Sequence, residues 1–145
     1  MLTYVEFKST AFPPYDGESE EINPGRFGKR LAEYLSAELG RLGEPVGELF
    51  TEDWGWVVPI ENAGFDLWIG VGNYEDYPDG FLCMIEPQTE YVRKLFRKVP
   101  TRGRIETLQR NVAAALNAHS GIRDVKWSTR EEFNRAGNAG KPAVT

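Results

Sequence analysis

Apolar residues recur along this chain with two different periods, and the changes between them divide it into elements. At the start, Thr3, Val5 and Phe7 alternate with Tyr4, Glu6 and Lys8, which predicts a half-buried strand over Thr3–Ser9. Residues 11–21 hold Pro13-Pro14 and four acids (Asp16, Glu18, Glu20, Glu21) without apolar periodicity, so they read as a loop. The period then lengthens. Phe27, Leu31, Leu35, Leu39 and Leu42 recur at steps of three or four and predict a helix opened by Asn23-Pro24 and closed by Gly43, with Pro45 beyond it.

Alternation returns after Pro45. A short strand is expected over Val46–Phe50, and a longer one over Glu52–Glu61 with Trp54, Trp56, Val58 and Ile60 on one side. After the turn Asn62-Ala63-Gly64, Phe65–Gly72 aligns Phe65, Leu67, Ile69 and Val71 and leaves Trp68 on the other side. A loop over Asn73–Gly80 precedes the apolar strand Gly80–Glu86. Thr89–Val99 has the spacing of a short helix, which puts Tyr91 and Phe96 on its buried side. A second long helix is expected over Arg104–His119 on Ile105, Leu108, Val112 and Leu116, followed by Gly121 and a strand over Ile122–Trp127. Ser128 and Glu131 suggest a capping box for a brief last helix.

The resulting order, β-α-β-β-β-α-β, predicts an α+β fold: a two-layer sandwich with a mostly antiparallel sheet and two long helices on one face. This is a ferredoxin-like layout with an extra strand, and it implies no activity. Residues 1–136 are expected to form one domain and 137–145 a flexible tail.

Composition narrows the function classes. The 145 residues carry one cysteine, Cys83, in an apolar run, so no internal disulfide is expected and the thiol reads as a core residue. No targeting segment or long apolar stretch is visible, which suggests a cytoplasmic protein. The net charge of −5 is uneven. Residues 1–90 hold 5 Lys/Arg against 18 Asp/Glu, and residues 91–145 hold 12 against 4. Arg93, Lys94, Arg97, Lys98, Arg102 and Arg104 could contact phosphates, but the pI of about 5.0 and the absence of an RNA-binding aromatic signature weigh against nucleic acid. The apolar residues between these cations read as the buried side of their helix.

Standard chemistry is poorly supported. Gly70-Val71-Gly72 lacks a third glycine and runs into acids, so no nucleotide cofactor is expected. One histidine and one cysteine cannot build the usual transition-metal site, and Glu75, Asp76 and Asp79 lack the run of a calcium loop. His119 reads as a helix-end residue rather than a base. No catalytic residue is assigned.

The remaining signal is an acidic, aromatic surface formed by Glu52, Asp53, Trp54, Trp56, Asp66, Trp68, Tyr74, Glu75, Asp76 and Tyr77. Tryptophan and tyrosine anchor interfaces, and opposite charge steers encounter. The sequence thus favours a non-enzymatic interaction domain, binding a basic protein partner or a second copy of itself. At the level of charge it resembles an immunity protein that neutralises a basic toxin. The alternative is a small-molecule-binding or carboxylate-dependent enzyme domain with a Trp-lined pocket. In either case Trp68 is expected on a sheet face that the helices leave uncovered.

Overall fold

The structure, a computed structural model, describes residues 1–138. Its main sheet runs β1 (Leu2–Ser9), β2 (Phe50–Glu52), β3 (Gly55–Ile60), β4 (Leu67–Tyr74), β5 (Tyr77–Glu86) and β8 (Ile122–Thr129). The strands lie in the order β2-β3-β4-β5-β1-β8, every neighbouring pair antiparallel. A separate two-stranded hairpin is formed by β6 (Tyr91–Lys94) and β7 (Arg97–Pro100). The helices are α1 (Glu18–Glu21), α2 (Lys29–Arg41), α3 (Arg102–Asn117) and α4 (Arg130–Asn138). The architecture is α+β with a mostly antiparallel sheet, as the periodicity predicts. Residues 139–145, most of the expected tail, lie outside the described residues.

One core joins the apolar stripes of α2 (Leu31, Leu35, Leu39) and α3 (Ile105, Leu108, Val112) to Val5, Phe7, Val58, Ile69, Val71 and Phe81 of the sheet. Both long helices therefore cover the same sheet face. Val57, Pro59, Trp68, Gly70, Leu82, Glu6 and Tyr4 follow the register of the opposite face. That face is partly roofed by the chain itself: α4 lays Phe133 against Tyr4, with ring centroids 4.3 Å apart, and Tyr74 and Leu82 are buried.

Several elements depart from their predicted form. Helix α2 starts at Lys29 rather than after Asn23, because Asn23–Arg26 closes a turn (Arg26 N–H to Asn23 C=O, 3.0 Å) with Gly25 in the left-handed region at φ 80°. Its far end is a Schellman closure on Gly43 (φ 95°), with Glu44 N–H donating to Leu39 C=O and Gly43 N–H to Gly40 C=O. The loop expected over Asn73–Gly80 is a tight hairpin turn, with Tyr74 opposite Tyr77. The capping box falls one residue later than expected, on Thr129 and Glu132, whose side chains each accept the other's backbone N–H.

The largest correction concerns the short helix expected over Thr89–Val99, which is the β6–β7 hairpin. In this ten-residue hairpin, two four-residue strands joined by a two-residue turn, Val92 pairs across the strands with Val99. The seven-residue separation that resembles two helical turns is here a cross-strand pair. Leu95 and Phe96 form the tip and are 92% and 102% exposed, the reverse of the burial expected for Phe96.

Candidate functional site

Eight of the ten acidic aromatic residues fall in three places, while Trp56 lies in the core and Asp53 in the β2–β3 turn. The first is a groove of about 820 Å³ on the sheet face away from the long helices, along β2, β3 and the start of β4. Register builds it. Phe50 pairs with Val57, Glu52 with Gly55 and Pro59 with Trp68, so Phe50, Glu52, Val57, Pro59 and Trp68 share one side, and Asp66 and Glu61 continue it at the rim.

Trp54 reaches this groove by a route that alternation does not anticipate. It sits in the two-residue turn Asp53-Trp54 between β2 and β3, so strand alternation does not govern its direction. Its indole folds back over the sheet, stacks on Trp68 (centroids 6.2 Å apart, 22° between planes) and lies across Gly70. A Cβ at Gly70 would come within 2.7 Å of the ring, so only glycine lets the indole lie there. Trp54 and Trp56, expected on one side, thus occupy opposite sides.

The charged residues lining the groove are all acidic: Glu52, Glu61 and Asp66. Phe50, 46% exposed, extends the apolar floor to the sheet edge. Neither Trp54 nor Trp68 spends its indole N–H on a hydrogen bond among the described residues. Glu86, opposite Trp68 on β5, is half-buried, and burial holds its carboxyl above the usual range.

Trp56 has a different role. It is buried on the core side and its Nε1–H donates to Glu18 Oε2 at 3.0 Å. Glu18 also accepts the backbone N–H groups of Gly28 and Lys29 (2.8 Å each) and of Tyr15 (3.0 Å). One carboxylate from the acidic loop therefore caps α2 and ties it to β3. Asp53 is exposed, and its carbonyl accepts the Asn23 side-chain amide at 2.7 Å.

The second place is a smaller cavity of about 270 Å³ on the same sheet face toward β1 and β8, lined by Glu6, Lys8, Tyr74, Tyr77 and Lys126. The Tyr74 hydroxyl donates to Glu6 at 2.5 Å, and burial with this carboxylate raises its pKa strongly. The third is the β4–β5 turn. Glu75 pairs there with the buried Arg26 at 3.2 Å, and Asp76 is exposed. The structure therefore gathers Glu52, Trp54, Asp66 and Trp68 into one groove, and sends Trp56, Asp53, Tyr74, Tyr77, Glu75 and Asp76 elsewhere.

Sequence reading missed Phe50, Pro59 and Glu61 as groove residues. Pro59 opposite Trp68 was legible in the alternation, whereas Phe50 required the pairing of β2 with β3.

Among the described residues no group of three or more His, Cys, Asp or Glu is placed to hold a metal ion, and no helix is long and apolar enough to cross a membrane. Cys83 is buried, and burial pushes its thiol up to about 12. His119 Nδ1 accepts the Gly121 N–H at 2.9 Å, and its ring packs on Phe12 and Tyr34. Comparison with protein-family models, curated proteins and solved structures finds no match to this chain.

Proposed function

We propose that this is a non-enzymatic interaction domain whose acidic, tryptophan-lined groove receives a basic segment of a protein partner. The observation that carries this reading is the pairing of two stacked, partly exposed indoles with three rim carboxylates and, among the described residues, no lining cation. Indole faces attract ammonium and guanidinium groups, and the carboxylates add complementary charge. The volume is within the range of sites that hold compact ligands. The inert setting of Cys83 and the structural engagement of His119 offer no nucleophile–base pair beside the groove. A neutraliser of a basic partner is the form of this reading that the acidic first ninety residues fit. The likeness of β8-β1-β5-β4 with α2 and α3 to a ferredoxin-like layout is also our reading, and it bears on architecture only.

The test is a titration with a Lys/Arg-rich peptide carrying one phenylalanine, followed by tryptophan fluorescence. Saturable binding that weakens with salt and falls at least about tenfold (about 1.4 kcal/mol) in Trp68→Ala or in Glu52→Lys/Asp66→Lys is expected. Binding indifferent to both changes would overturn the reading. So would an unresponsive groove that instead saturates with a small neutral ligand, which would favour the pocket alternative.

A further inference from the structure

The β6–β7 hairpin has no part in the groove, yet its chemistry is the inverse of the groove's. Its tip is Leu95-Phe96, the two most exposed large apolar residues among those described. Four cations flank them: Arg93, Lys94, Arg97 and Lys98. None of the four makes an ion pair with a described residue, although five of the chain's other arginines do. Leu95 is held at φ 53°, where a side chain is disfavoured and glycine or asparagine is the usual choice. A bulky apolar residue kept in that conformation, in full solvent, is a cost to the isolated chain.

The hairpin is firmly mounted. Val92 and Val99 pack on the core, Thr101 N–H donates to Glu90 C=O at 3.0 Å, and Thr101 Oγ1–H donates to Thr89 C=O at 2.5 Å. Its base adjoins the rim of the groove: the Val99 side chain lies 3.4 Å from where a Cβ on Gly64 would stand, and Arg104 of α3, four residues beyond the hairpin, donates to Asn62 at 3.2 Å. Hairpin and groove are therefore at the same end of the molecule, while the tip stands clear of any surface of its own chain.

We propose that the occupant of the groove is the β6–β7 hairpin of a second copy of this chain. Leu95 and Phe96 enter against Trp54 and Trp68, and the four flanking cations meet Glu52, Glu61 and Asp66. Because tip and groove share one end, a two-fold arrangement lets each copy fill the other's groove, which closes the assembly at a dimer. The proposal rests on the groove being a site for a basic segment, and it names that segment.

Sedimentation of the full chain over a concentration series tests it. Wild type is expected to dimerise, more weakly as salt rises, and the exposed-site variant Leu95→Ser/Phe96→Ser to dimerise at least about tenfold more weakly. Arg93→Glu/Arg97→Glu and Glu52→Lys/Asp66→Lys are each expected to lose self-association and to recover it when mixed together, where the charges are exchanged. A wild type that stays monomeric up to about 1 mM overturns the proposal. So does dimerisation that the hairpin variants leave unchanged, or no recovery in the mixture. If the monomer still binds the basic peptide, only the self-partner is lost and the interaction reading survives; if it does not, both fail. A monomer that cosediments with phosphatidylserine vesicles, and stops when the tip is changed, reassigns the hairpin to an anionic membrane surface.

Discussion

Burying a carboxylate costs stability unless its oxygens are well hydrogen-bonded, and Glu18 meets that condition with four donors from three parts of the chain. Glu18→Ala would leave the α2 N-terminus and the Trp56 indole without their acceptor. The expected loss is about 2–4 kcal/mol, read by urea unfolding, with Glu18→Gln losing less. Gly70 acts by what it lacks. Gly70→Ala should lift the Trp54 indole off Trp68 at a cost of about 1–3 kcal/mol. A changed exciton signal of the tryptophan pair in circular dichroism and weaker peptide binding are the readouts. Preserved stacking would show that the glycine is not what admits the ring.

At the scale of elements, the hairpin and the last helix make opposite predictions. Thr129→Ala removes half of a reciprocal cap and should cost about 1 kcal/mol, with helical signal falling first. Leu95→Gly relieves the left-handed residue and should raise stability by about 0.5–1 kcal/mol while weakening self-association. A variant that is both more stable and less able to associate would mark Leu95 as retained for contact rather than for folding. The hairpin also shows where periodicity misleads, since a seven-residue spacing fits two helical turns or one cross-strand pair equally well. The pairing of Arg93 with Lys98 and of Lys94 with Arg97, and the full exposure of Leu95 and Phe96, are what separate the two.

For the whole molecule, two carboxyl groups should shape the pH dependence in opposite directions. Burial alone would raise Glu44, but hydrogen bonds from Arg104 and Asn111 outweigh it and hold the carboxyl below its usual range. The folded state then favours the ionised form. Its contribution is fully present above the unfolded value of about 4.3 and is lost as pH falls through the folded value. Glu44→Gln should therefore cost about 1–3 kcal/mol at pH 7, and the difference should shrink as the pH is lowered below 4.3. Glu86, raised by burial, works the other way. Its ionised form weakens the folded state as pH rises above the unfolded value, so Glu86→Gln should unfold at higher urea than wild type at pH 7. Paired urea curves at the two ends of this range check both signs.

What the sequence alone determined was the set of strong periods and stops: β1, the apolar stripes of α2 and α3, the Gly43 closure and the antiparallel class of the sheet. These follow from local geometry, because a 3.6- or 2-residue repeat and a left-handed glycine act within a few residues. Which of the four tryptophans share a surface was decided only by tertiary structure. Trp54 left its predicted side because a turn released it and Gly70, sixteen positions away in sequence, made room; Trp56 was drawn into the core, where Glu18 accepts its N–H. The exposure of Leu95-Phe96 was decided in the same way. Its burial as a helix or its display on a hairpin depended on contacts that no short window of sequence contains.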